Sequence, residues 1–297
     1  MEKITFCINN SCNEKPYIEL LLQSLLNGID VNLHDIIIFV DSDNQDTTQM
    51  LVEQKRLFPN LTIIKNEGEP VGYAGNINYL FQYAKTDILS YTQSDMVVPL
   101  GYVEKLLPNI AHNRILCSTR CEPPIHAQSD NAITYVRNFG LTPGDFQYEN
   151  FLRFAEANKN PNKLTDYFFA PFTLYKKDWI DHDVTFKKSR EDSDIALRFA
   201  LKGVEMKQTW DAVVYHFTCT SSRGIEWWKQ ENKDKEIIRQ QNDAIEMKRF
   251  VDKWGTFMHP TSHQDVKPYL ETHPDIMKNI VVKNPPIDES KFVYLYP

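Results

Sequence analysis

The residues in this chain best suited to chemistry lie where apolar runs end. ILSYTQSDMVVPL (Ile88–Leu100) is an apolar segment broken by Gln93, Ser94 and Asp95. VDSDNQDTT carries Asp41 and Asp43 after a β-branched run, REDSD sets Glu191 beside Asp192, and AVVYHF holds His216 near its end. A carboxylate at a strand end with an imidazole nearby suits a hard divalent cation, Mn²⁺ or Mg²⁺, which takes oxygen ligands and completes its shell with water and phosphate. A further carboxylate can take the proton from a hydroxyl nucleophile. Each residue also has a plainer reading. Asp41 and Asp43 can cap the next helix, Asp95 can be a turn residue, Glu191 and Asp192 can favour a helix dipole, and His216 can be a hydrogen-bonded core histidine. Taken singly, the plainer reading prevails; the ordered set is what points to a site.

These residues need elements to position them. ITFCIN (Ile4–Asn9), IIIFV (Ile36–Val40), LTIIK (Leu61–Lys65) and ILSYT (Ile88–Thr92) are short, nearly continuous apolar runs, the pattern of strands buried on both faces. Between them Ile18, Leu21, Leu22 and Leu25 recur at helical spacing, and helices are expected over Thr48–Phe58 and Gly75–Ala84. Strand alternating with helix argues for an α/β fold, a mostly parallel sheet covered on both faces. In such a sheet, ligands bind beyond the carboxyl ends of the strands. Ser11, Asn13, Asp41, Asp43, Gln93, Ser94 and Asp95 all fall there. Farther on, Phe146–Asn158 reads as a helix and DYFFAPFTLY as a strand broken by Pro171. EDSDIALRFALKG reads as a helix with acids in its first turn and Gly203 as its stop. Ala212–Phe217 reads as a strand, and Trp227–Trp254 as a charged amphipathic helix. Beyond Gly255, prolines and the lack of a period suggest a tail draped over the body.

The bulk numbers bound the function. The 297 residues carry 42 % hydrophobic and 25 % charged side chains, enough for a full core in one large domain with or without an appendage. A net charge of −7 disfavours nucleic acid as the main partner. Cys7, Cys12, Cys117, Cys121 and Cys219 are scattered and odd in number, which favours reduced thiols. Cys117 and Cys121 with His126 match no zinc-finger spacing. No signal peptide and no membrane-spanning run are seen, so a cytoplasmic protein is expected. Lys176, Lys177, Arg190 and Arg198 are cations that either reach phosphate or form a solvated face. His259 and His263 of HPTSH have a metal-like separation, which Pro260 spoils.

In order, FCINNSCNE, IIIFVDSDNQDTT, NEGEPVGYAGNINYLFQYAKTDILSYTQSD and REDSDIALRFALKG resemble glycosyltransferase family 2, whose members have the nucleotide-sugar-binding GT-A fold. The resemblance covers about Ile4 to Phe217. It implies that Ser11 and Asp41 contact the nucleoside, Asp41 accepting a hydrogen bond from the base, and that Asp43, Gln93 and Ser94 belong to the same donor-binding set. The family's Asp-any-Asp metal motif falls on Gln93, Ser94 and Asp95, where only the last acid is present. Asp95 is then the expected metal ligand and His216 a second. Asp192 matches the catalytic base, with Glu191 beside it.

The expectation is an inverting glycosyltransferase, with residues 1–220 as the nucleotide-sugar-binding and catalytic domain and 221–297 as a helical extension and tail. It would move a sugar from a nucleotide diphosphate, UDP favoured over GDP, to a glycan or other hydroxyl acceptor, assisted by Mn²⁺ or Mg²⁺. The extension is open to a homodimer role through the Trp227–Trp254 helix. Two other functions compete: a nucleotide-sugar-binding protein without catalysis, for which Gln93 speaks, and a glycoside hydrolase using two carboxylates.

Overall fold

The computed structural model describes residues 2–10, 15–41, 43, 46–125, 127–187, 189–218 and 233–296, without the side chains of 233–239. Ser11, Asn13, His126 and Trp227 therefore lie outside the described residues. The first half alternates as expected: β1 (Ile4–Asn10), α1 (Lys15–Gly28), β2 (Asp35–Val40), α2 (Thr47–Gln54), β3 (Leu61–Asn66), α3 (Gly72–Tyr83) and β4 (Ile88–Gln93). Then follow β5 (Met96–Val97), α4 (Tyr102–Leu106), β6 (Arg114–Glu122), β7 (Thr134–Val136), α5 (Tyr148–Asn158), β8 (Asn160–Asp166), β9 (Phe172–Tyr175), α6 (Glu191–Leu201) and β10 (Glu205–His216). The chain ends with α7 (Lys233–Trp254), α8 (His263–Thr272) and β11 (Phe292–Leu295).

The described strands join one sheet, whose main path runs β11-β3-β2-β1-β4-β9-β6-β10-β5. The pairs β3–β2, β2–β1, β1–β4 and β6–β10 are parallel. Strand β9 is antiparallel to both β4 and β6, which leaves β4, β6 and β10 pointing the same way. The carboxyl ends of β1, β2, β4, β6 and β10 therefore share one edge.

The period-2 alternation of a strand sends the near-continuous apolar runs to two cores. Ile4, Phe6 and Ile8 of β1, with Ile36, Ile38 and Val40 of β2, meet α1, α2 and α4 on one face. Cys7, Ile37 and Phe39 point to the other, where Ile77 and Leu80 of α3, Ile195 and Phe199 of α6, and Phe250 and Trp254 of α7 cover them. Cys7, Cys117 and Cys121 are buried free thiols.

The expected irregular tail needs correction. Ser262 and Asp265 form a capping box that starts α8, and β11 pairs antiparallel with β3 at the sheet edge. A single edge strand and one short helix containing Pro268 leave too little periodicity to read. Among the described residues, no helix is long and apolar enough to cross a membrane.

Candidate active site

Strand β1 has β2 on one side and β4 on the other, so the switch in strand order opens a crevice between the carboxyl ends of β1 and β4. Asn9 and Gln93 are paired across it, and the Tyr91 hydroxyl donates to Asn9 Oδ1 at 2.7 Å. Next to them, Asn10 has no solvent exposure, and neither polar atom of its side chain has a hydrogen-bond partner. A buried unpaired amide costs about 1–3 kcal/mol per group, so Asn10 is a residue a ligand would satisfy. On sequence alone the strand ends at Asn9 and the candidates are Ser11 and Asn13, so Asn10, between Asn9 and Ser11, is passed over.

Asp41 has a different set of partners from the expected nucleobase. Its Oδ1 accepts from Asn66 Nδ2 (2.9 Å) and the Val71 amide (3.0 Å); its Oδ2 accepts from the Gly72 amide (3.0 Å) and Asn76 Nδ2 (3.3 Å). Four donors fill the roughly four lone-pair sites of a carboxylate. Asp41 thus ties the end of β2 to the start of α3. Asp43 accepts from the Thr47 amide at 2.7 Å and the Thr48 amide at 3.2 Å, capping α2, which is its plainer reading.

Ser94 and Asp95 form the turn between β4 and β5 and are both buried. The Phe217 amide donates to the Asp95 carbonyl at 3.1 Å, which pins this turn to the end of β10. His216, the last residue of β10, thereby sets its Nε2 3.7 Å from Asp95 Oδ2. Its Nδ1 lies 2.7 Å from Glu122 Oε1, at the end of β6. A carboxylate can only accept, so Nδ1 carries the hydrogen and the Nε2 edge of the His216 ring faces Asp95. Nε2 and the Asp95 carboxylate can meet through a shared proton or a shared cation. Asp95 and His216 are the two side chains here that could share a small divalent cation, with Glu122 as the carboxylate that orients the histidine. Among the described residues no group of three such side chains is arranged for a metal, so phosphate and water would supply the remaining ligands.

Glu122 and Arg120 were not anticipated, because Glu122 meets His216 only across 94 positions of sequence. Burial raises the Glu122 carboxyl, but the hydrogen bond and charge of His216, followed by Arg120, outweigh it and bring it down to about 2. Arg120 contacts Glu122 at 3.3 Å, donates to the Ala170 carbonyl at 2.8 Å, and lies 4.0 Å over the Phe169 ring.

Glu191 and Asp192 open α6, after Arg190 has turned the chain with φ of 71°, a left-handed conformation that costs a non-glycine residue about 1–2 kcal/mol. Asp192 is exposed, and its Oδ1 accepts from the Ser193 amide at 2.6 Å. Glu191 Oε2 is shielded from water and unpartnered. Burial, then the Asp192 charge, raises the Glu191 carboxyl well above the ordinary range. Two tyrosines link this acidic pair to the strand ends. Burial, then Glu191 and Asp192, pushes the Tyr73 phenol up, while its hydrogen bond to Tyr91 lowers it. Burial also raises Tyr167; Arg120 opposes this, whereas Asp192 and Glu122 add to it. Arg120, Glu122, the tyrosines and the acidic pair are thus close enough to feel one another's charge.

Other side chains near these elements are taken up in packing and capping. Trp179 lies 4.4 Å from Phe81 and stacks on Phe172, so it belongs to the core. Lys176 caps the end of α3 through the Ala84 carbonyl at 2.6 Å, and Arg198 is buried against Asp194. His259 and His263 reach opposite ends of α6, at Ser193 and at the Ala200 carbonyl. A surface cavity of 460 Å³ lined by Lys3, Asp35 and Asp87 opens at the other end of the strands and shares no residue with the crevice.

The profile of "Glycosyl transferase family 2" matches residues 10–183, more than half of the chain. The chain belongs to glycosyl transferase family 2. The match takes in β2 to β9 and ends before α6. No curated protein matches the sequence. Solved structures share the GT-A fold. TarS of S. aureus superposes with a TM-score of 0.52 at 16 % identity, over 74 % of this chain and 37 % of TarS. GalNAc-T7 with UDP, GalNAc and Mn²⁺ gives 0.52 at 10 % identity, over 72 % of this chain and 43 % of that one. Residues 1–349 of TarS with UDP give 0.50 at 12 % identity, over 94 % and 89 %. This family 2 chain therefore spans well under two thirds of the length of TarS and of GalNAc-T7.

Proposed function

We propose that this chain is an inverting glycosyltransferase that moves a sugar from a UDP-sugar to an acceptor hydroxyl, with Asp192 as general base. The observation that carries the reading is the His216 imidazole, held by Glu122 on one nitrogen and presenting the other to Asp95. Asp95 and His216 would hold Mn²⁺ or Mg²⁺; when bound, such a cation stabilises the negative charge that builds on a diphosphate leaving group. Asn10 and Gln93 would line the nucleotide side, together with the backbone amides at the start of α3 that Asp41 orients. Ser94 would fix the turn that carries Asp95. The UDP preference draws on the UDP-bound TarS and GalNAc-T7 structures; Ser11, Asp41 and Asp43 remain donor-side proposals from the family resemblance. Asp192 would take the acceptor proton as the hydroxyl attacks, and a single displacement inverts the anomeric centre. Residues 1–220 would form the catalytic unit and 221–297 the extension.

A melting panel of UDP, GDP, CMP and dTDP, each with and without Mn²⁺, tests the reading. Ligand at 100 times its Kd stabilises by about 2.7 kcal/mol, a rise of roughly 5 °C for a chain of this size. UDP with Mn²⁺ is expected to give the largest rise, and no metal-dependent rise with any nucleotide would refute the proposal. Asp192→Asn should keep that rise and lose about 10²- to 10⁴-fold in transfer. Gln93 supports a second reading, a donor-binding protein without catalysis. That reading expects the same melting shift with no sugar released from any UDP-hexose.

A further inference from the structure

The extension reaches the acidic pair by a defined route. Asp194, without solvent exposure, accepts from Lys253 Nζ at 2.7 Å and from Trp254 Nε1 at 2.8 Å, which fastens the end of α7 beside the first turn of α6. Gly255 then turns the chain with φ of 75°. A Cβ there would come within 2.9 Å of Tyr269 Oη, so the turn needs glycine. The irregular segment 256–259 then passes the start of α6. Phe257 lies 5.3 Å under the Arg190 guanidinium, and His259 Nδ1 stands 3.0 Å from Ser193 Oγ. Ser193 Oγ is in turn 3.3 Å from Asp192 Oδ1, the same oxygen that accepts from the Ser193 amide.

Resting on the function proposed above, we infer that His259 is a positioning residue for Asp192, acting through the Ser193 hydroxyl. A serine hydroxyl has one hydrogen. When His259 donates from Nδ1 to Ser193 Oγ, that hydrogen is directed to Asp192 Oδ1. Two donors on Oδ1 then fix the carboxylate, and Oδ2 is left to face the acceptor hydroxyl. Without His259 the hydroxyl rotates freely and Asp192 loses one of its two anchors. No proton is transferred along this chain; it sets direction. The extension thereby becomes part of the catalytic apparatus.

The test measures UDP release from UDP-glucose, UDP-galactose, UDP-N-acetylglucosamine and UDP-N-acetylgalactosamine with Mn²⁺, following the donor that the unaltered protein turns over fastest. His259→Ala is expected to lower kcat by about 10- to 100-fold, the scale of a mispositioned catalytic group, with the KM for donor within about twofold. His259→Asn, whose amide can donate from a similar position, should recover most of kcat, which a merely structural role does not explain. In an Asp192→Asn background, His259→Ala should have no further effect. If His259→Ala melts early, Ser193→Ala cuts the same link from the α6 side and should show the same kcat loss. Unchanged kcat in both, or losses that multiply independently with Asp192→Asn, would overturn the inference while leaving the glycosyltransferase reading intact. No turnover of any donor by the unaltered protein would overturn that reading and this inference with it.

Discussion

Replacing Asp41 by asparagine keeps the side chain's size but changes one acceptor oxygen into an NH₂ group. Each of the two oxygens now receives two donors: Asn66 and Val71 on one, Gly72 and Asn76 on the other. Whichever way the new amide turns, two donors lose their acceptor and face another donor. The site is closed, since Asp41 is 5 % exposed and water cannot readily take over. At about 1–3 kcal/mol for each buried donor left unpaired, the loss should be about 2–6 kcal/mol. That is a large part of the ~5–15 kcal/mol that holds a typical domain together. Urea unfolding should show a lower midpoint with an unchanged m-value, and melting should fall by roughly 4–12 °C. A loss below about 1 kcal/mol would refute the argument that these four bonds are the role of Asp41. If stability holds while UDP affinity falls, the carboxylate is instead a nucleobase contact, as the family resemblance implies.

Two further outcomes follow from buried charge. Lys253→Met removes the cation shared by Asp183 and Asp194, whose side chains are 9 % and 1 % exposed. The uncompensated carboxylates should cost about 3 kcal/mol in urea unfolding, and a loss within experimental error would show that Arg198 and Trp254 suffice for Asp194. His182 is fully buried, and burial, then the Arg198 charge, lowers its pKa from 6.5 to about 3. The unfolded chain therefore binds a proton that the folded chain refuses, so stability is full above about pH 6.5 and is lost as pH falls toward about 3. The slope from this group is at most about 1.4 kcal/mol per pH unit. His182→Phe should flatten the acid limb of the urea midpoint against pH, and parallel limbs would count against the assignment.

The first half of the fold was legible because buried parallel strands and amphipathic helices write themselves as runs of residue type. Ile36–Val40 needs only its own composition to be read as a strand. The start of α6 was legible too, since acids in a first turn and glycine after the last are local signals. What stayed hidden depends on partners distant in sequence. Glu122 looks like a loop acid until β6 and β10 pair in register and bring His216 to it. The strand β8, NPNKLTD, has no apolar alternation because it is an exposed edge that meets β10 through its backbone and polar side chains. Asp41 was visible as a polar residue at a strand end, but the donors that surround it come from β3 and α3. His259 could be seen only as half of a doubtful histidine pair, and its serine lies 66 positions away.

The union of β11 with β3 has a consequence for how the molecule is made. Thr62 Oγ1 donates to the Tyr296 carbonyl across 234 positions of sequence. During synthesis β3 emerges before β11, and its outer rim of amide and carbonyl groups waits until translation has passed Leu295. Such an open rim is a template for another nascent chain, and its closure carries the entropic delay of a very long loop. Changes within FVYL are therefore expected to act first on how much protein escapes aggregation at birth, with little effect on turnover by the molecules that survive.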